Sequence, residues 1–327
     1  MPLNRLCRLL VAATTGAGVL LAVAACGAQG QAARVERPAA VVPGPHLPSG
    51  WVVPADSPVT PLYPVGVREL QFSRGADRPL PTTVWYPAAG AAGTGLHRDV
   101  AVADGSFPLI LFSHGLTGDP GGYQGLLTRW AGAGFVVAAP AYPYTKRGAP
   151  TFTRADIPNQ PLDASAVISA MLVLGSEADD PFHGHLDSDA IAAAGHSAGG
   201  YTTAGLLSSA RDERVRAAII IAGAGMGDAP FVGSPTPVLF LHGDADPVVT
   251  YTRGMATYRR VPWPKAFVTM HGQGHGEYLQ PNRTGFGVAV RTGIDFLRWA
   301  LLSDQAAGNR LPADATNPEV SWVDDER

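Results

Sequence analysis

The sequence predicts an α/β protein built on a doubly wound, mostly parallel sheet of about eight strands. The first observation behind this is a series of short, almost wholly apolar runs. A run that is apolar on both faces suits a strand covered by helices on both sides. The second is that helix-length segments separate these runs, which is the alternation of a parallel sheet with crossover helices. The third is composition: 46% hydrophobic residues in a chain of 327 with a net charge of −3 provide a core and exclude disorder as the dominant state. Lys and Arg number 24 against 27 Asp and Glu, so no basic excess points to a nucleic-acid partner. Two cysteines cannot form a disulfide framework or a multi-Cys zinc site.

In chain order, residues 1–25 read as a signal peptide. Arg5 and Arg8 precede an apolar run from Leu9 to Ala22, shorter than the roughly 20 residues that span a bilayer. The run ends Val23-Ala24-Ala25-Cys26-Gly27, which resembles a bacterial lipobox. That resemblance implies a diacylglycerol on Cys26 and an exported protein anchored to the outer face of the cytoplasmic membrane. Residues 26–62, rich in Ala, Pro and Gly without a hydrophobic period, read as an anchor and flexible linker.

The folded body is expected over residues 63–303. It starts with an antiparallel pair, Val65–Ser73 and Leu80–Tyr86, in which apolar and polar residues alternate. Buried strands follow at Pro108–Ser113, Phe135–Ala139, Ala190–Gly195, Val215–Ala222, Pro237–Leu241 and Lys265–Met270. Helices are expected at Gly122–Ala133, Leu162–Leu174, Ala198–Ala210, Val249–Arg260 and Arg291–Leu302. Residues 223–236 are too few to hold a large cap domain. Residues 304–327, with Pro312, Pro318 and several acids, read as a flexible tail.

In such sheets chemistry sits beyond the carboxyl ends of the strands. One apolar run ends Gly195-His196-Ser197-Ala198-Gly199-Gly200. The Gly-x-Ser-x-Gly spacing after a strand and before a helix fits a nucleophile elbow, with Ser197 on the tight turn. A serine hydroxyl needs a base and the base an orienting acid, in the order Ser, acid, His. His242, His271 and His275 lie downstream. His275, in the loop Gly272-Gln273-Gly274-His275-Gly276, is freest to reach Ser197, with His271 as the alternative. Asp246, ahead of Pro247-Val248-Val249, is the favoured acid; Asp244 reads as a loop-bracing turn residue and Asp228 as the outside choice. Oxyanion donors are expected at the amides of Ala198 and of Leu116, the latter following Gly115 in Ser113-His114-Gly115-Leu116-Thr117-Gly118, with His114 bracing that loop.

Together these motifs resemble the α/β-hydrolase superfamily, nearest to dienelactone-hydrolase-like esterases, platelet-activating-factor acetylhydrolases and cutinase-like polyester hydrolases. Pro161-Leu162-Asp163 at the head of a helix shares that likeness, whereas Ala198 stands where many polyester hydrolases carry Met. The resemblance implies hydrolysis of a small-molecule or lipid ester by a monomer, through an acyl-serine, with no cofactor or metal. Alternatives are an acyltransferase or peptidase on the same residues, or a silent lipid-binding lipoprotein of this fold. Tyr142, Tyr144 and Phe152, in the loop 140–161, either line a pocket or pack the loop. His183 and His185 read as a surface turn.

Overall fold

A computed structural model describes residues 62–90, 95–318 and 320–327 of the chain. The expected signal peptide, Cys26 and nearly all of the expected linker lie outside the described residues. Ten strands form one sheet: β1 (Val65–Ser73), β2 (Pro79–Pro87), β3 (Leu96–Arg98), β4 (Phe107–Ser113), β5 (Val136–Pro140), β6 (Leu186–His196), β7 (Val215–Ile221), β8 (Val238–Gly243), β9 (Lys265–Met270) and β10 (Ser321–Glu326). Their spatial order is β10-β9-β8-β7-β6-β4-β5-β2-β1-β3. Neighbours from β5 through β9 pair in parallel, while β1 with β2, β2 with β5, and β9 with β10 are antiparallel.

Among the described residues six α-helices accompany it: α1 (Gln124–Gly132), α2 (Gln160–Ser176), α3 (Ala198–Leu206), α4 (Tyr251–Arg260), α5 (Phe286–Leu302) and α6 (Gln305–Ala315). The two-residue period of a strand divides each apolar run between two cores. Ile110 and Phe112, Ile219 and Ile221, and Leu239 and Leu241 share one core with Leu127 and Trp130 of α1, Leu297 of α5 and Leu311 of α6. Leu109 and Leu111, Ala218 and Ile220, and Val238 and Phe240 face the other, with Val167 and Ile168 of α2, Leu206 of α3 and Tyr258 of α4. This two-sided burial is why the central runs carry so few polar residues. It also brings the ends of β4, β6, β8 and β9 to one edge of the sheet, where the polar loops begin.

Three expectations need correction. The sheet has ten strands because β3 joins β1 in parallel and β10 joins β9. The segment 304–327 is not a flexible tail but α6 and β10. Ala307, Leu311 and Ala315 recur every four residues and are fully buried, which is the stripe of an amphipathic helix. Asp304 caps it by accepting from the Ala307 amide at 3.0 Å. Pro312, which suggested a break, lies inside the helix. α5 begins at Phe286, ahead of the expected Arg291.

Between β7 and β8 the chain forms only a loop, with no cap domain. The longer loop after β5 is pinned by charge. Arg78 pairs with Asp156 at 2.8 Å and closely with Asp163, and Arg74 reaches Asp163 at 2.6 Å. Asp163, fully buried at the start of α2, thus fastens that helix to the β1–β2 turn.

Candidate active site

β6 delivers the chain directly into Ser197, whose φ of 57° and ψ of −117° are strained for an L-residue. The turn closes this tightly because its flanking residues lack side chains. A Cβ on Gly195 would overlap the Gly199 carbonyl, and one on Gly199 would overlap the Ser113 carbonyl of β4. The Ser197 amide donates to the Ile221 carbonyl at 2.9 Å, tying the turn to β7. α3 starts at the next residue, so the Ala198 N–H is the first of the helix and has no acceptor within it. The positive end of the helix dipole therefore begins immediately after Ser197.

Of the three histidines downstream, His275 is the one whose ring reaches Ser197. Its Nε2 lies 2.8 Å from Ser197 Oγ, and its Nδ1 lies 2.7 Å from Asp246 Oδ2. The buried carboxylate accepts, so Nδ1 carries the proton and Nε2 offers its lone pair to the Ser197 hydroxyl. Asp246 Oδ1 accepts from the Val248 and Val249 amides at 2.7 and 3.0 Å, which holds the carboxylate on its turn. A hydroxyl, an imidazole and a fixed carboxylate in this order can activate the serine oxygen as a nucleophile.

The rivals Asp244, His271 and Asp228 are occupied elsewhere. His271 Nδ1 meets Asp244 Oδ2 at 2.9 Å, and Asp244 Oδ1 accepts from Gly272 at 2.7 Å. That pair clamps the loop after β8 to the loop after β9, beside main-chain bonds from Asp244 to Met270 and from Ala245 to Gln273. His242 is buried, donates from Nε2 to the Val249 carbonyl at 2.7 Å and lies 3.4 Å behind Asp246 Oδ2, while its ring makes no bond to Ser197; burial lowers its pKa. Asp228 is fully exposed, 3.9 Å from Arg260 and not against either histidine.

The loop after β4 runs beside the nucleophile. A Cβ on Gly115 would lie 3.2 Å from Ser197 Cβ. Gly118 donates to the Gly115 carbonyl at 2.9 Å, closing a turn with Leu116 at its corner and Thr117 at φ 58°. His114 donates from Nδ1 to the Gly115 carbonyl at 2.8 Å and accepts from the Tyr142 amide at Nε2, 3.1 Å away. Burial lowers its pKa to about 4, so it is a neutral brace.

Tyr142 does not line a pocket. It is fully buried, with its hydroxyl 2.8 Å from Ser113 Oγ. Tyr144 sits under the Arg78 guanidinium at 5.3 Å, in a cleft with Thr151 and Thr153 that does not include Ser197. Of the three aromatics only Phe152 is exposed. The second imidazole beside the base, His196, and the Tyr123 hydroxyl bonded to it escaped the reading of the sequence. His196 stood in plain view inside the serine motif, but Tyr123 carries no local signal.

A family model described as Chlorophyllase, an esterase family of α/β-hydrolase type, matches residues 97–229. The matched stretch is under half of the chain. It holds His114, Leu116, Ser197 and Ala198 and stops before Asp246 and His275. No curated protein matches the chain. The family match agrees with the sheet, which has the α/β-hydrolase fold, and it supports an esterase-type hydrolase acting on a small-molecule ester.

Proposed function

We propose that this chain is a serine carboxylic ester hydrolase that works through an acyl-serine intermediate. The observation that carries the reading is the continuous hydrogen-bond chain from Ser197 Oγ through His275 to the buried side chain of Asp246. Ser197 Oγ attacks the ester carbonyl carbon while its proton passes to His275 Nε2. The carbonyl π electrons move onto oxygen, and that oxyanion is met by the amides of Leu116 and Ala198. Each such donor is worth about 10²–10³ in rate. Collapse of the intermediate breaks the bond to the alcohol, which leaves with the proton from His275. Water then gives a proton to His275 and attacks the acyl carbon; the acid departs and Ser197 regains its proton. Asp246 keeps the imidazole in the Nδ1–H tautomer and stabilises its cationic form without taking the proton.

The test is the Ser197→Ala variant on p-nitrophenyl acetate. Activity is expected to fall by at least about 10³-fold, and labelling by a fluorophosphonate probe is expected to vanish. A Ser197→Ala protein that hydrolyses the ester at the wild-type rate overturns the proposal.

A further inference from the structure

We infer that His196 is a positioning residue that, through Tyr123, locks the main chain of the base loop to the main chain of the oxyanion loop. Its kinetic consequence rests on the esterase reading; its geometry does not. The His196 ring lies between the two loops, with its centroid 4.9 Å from that of His275. Nε2 is 2.5 Å from the His275 carbonyl oxygen, and Nδ1 is 2.8 Å from the Tyr123 hydroxyl. The Tyr123 oxygen also accepts from the Gly115 amide at 2.9 Å.

The directions follow from chemistry. A carbonyl only accepts, so His196 Nε2 must carry the hydrogen. In a neutral imidazole Nδ1 then accepts, and its donor is the Tyr123 hydroxyl. The bonds therefore run one way: Gly115 N–H to Tyr123 oxygen, Tyr123 O–H to His196 Nδ1, and His196 Nε2–H to the carbonyl of His275. One end is the main chain next to the Leu116 amide, and the other is the main chain of the base. Neutrality matters because His275 becomes a cation during the reaction, and a second cation one ring away would oppose that. Burial holds the His196 pKa down to about 4, with His275 itself adding to the effect. A side chain at residue 276 would strike the same ring, so His196 also defines the space behind the base.

A residue that only fills space keeps its effect when a ring of the same shape replaces it. His196→Phe keeps the ring and removes both polar atoms, whereas His196→Gln offers one acceptor and one donor from a single amide. With p-nitrophenyl acetate, His196→Phe is expected to lower kcat about 10- to 100-fold, as small misplacements of reacting groups do, with KM within about twofold. His196→Gln is expected to recover most of kcat, and adding Tyr123→Phe to His196→Phe to cost little more. A readout independent of turnover is the low-field proton NMR resonance of the His275–Asp246 hydrogen bond. It is expected to shift or disappear in His196→Phe and to persist in His196→Gln. Wild-type kcat together with an unmoved resonance in His196→Phe overturns the inference. Should the wild-type and Ser197→Ala proteins prove equal on esters, the esterase reading falls while the resonance still decides the role of His196.

Discussion

Ser197 is held at φ 57° by neighbours that leave the chain no other path. The closest is Gly199, whose Cα faces the Ser113 carbonyl of β4 with no room for a methyl group. Gly199→Ala is therefore expected to lower the unfolding free energy by at least about 2 kcal/mol, as overpacking of a rigid site does, and to reduce ester turnover with it. Thermal unfolding and kcat of the purified variant check this; an unchanged Tm would mean that the elbow yields to the methyl group. Ser197, Asp246 and His275 were legible as candidates because each stands at or just past the end of an apolar run, a purely local pattern. Their rivals were separated by contacts that no local pattern carries. Asp244 and His271 pair with each other across two loops, and nothing in the spacing of residues 242–246 and 271–275 says which acid meets which base. Tyr123 and His196 are linked only by the tertiary fold.

At the scale of elements, the apolar strands and the helices between them were readable, because burial on both faces leaves an unmistakable composition. α6 and β10 were not, for a different reason in each case. The stripe Ala307, Leu311, Ala315 was present, but Pro312 broke the apparent pattern; inside a helix Pro removes one N–H and strains the turn before it. β10 is an edge strand whose acids Asp324, Asp325 and Glu326 suit an open edge and resemble a solvated tail. The segment also supports the site. The His271 amide donates to Val320 at 2.7 Å, and the His271 ring packs 5.6 Å from that of Trp322. Truncation after Ser303 removes the buried Leu311, worth about 1.5–3 kcal/mol alone, and bares the edge of β9. The truncated protein is expected to melt at lower temperature, to self-associate in size-exclusion chromatography and to lose ester turnover. A monomeric truncation with full activity would assign the segment no part in either.

For the whole molecule, the buried ionisable groups set how stability follows pH. His114, His196 and His242 have pKa values lowered by burial, the first two to about 4. Between about pH 4 and the ordinary histidine value near 6.5, the unfolded chain binds protons that the folded chain refuses, so stability rises with pH across that window. For His114, almost wholly buried, the full effect is of order 3 kcal/mol. Asp295 of α5, paired with Arg310 of α6, acts in the opposite sense. Burial and the neighbouring Asp314 raise its pKa to about 7, although it also pairs with Arg310 at 2.7 Å. The folded chain keeps that proton when the unfolded chain has lost it, so its contribution is complete below about pH 4 and is lost as pH rises through 7. Asp212, lowered by Arg214, and Asp304, lowered by the Ala307 amide and then Arg298, matter only below the ordinary carboxylate range. Three histidines outweigh one aspartate, so the unfolding free energy is expected to climb from pH 4.5 to about 6.5 and then level. Urea titrations across pH 4.5–8 measure it. Asp295→Asn removes the opposing contribution and is expected to steepen the climb between pH 5 and 7. A profile that falls from pH 5 to 6.5 would mean that burial does not keep these imidazoles neutral.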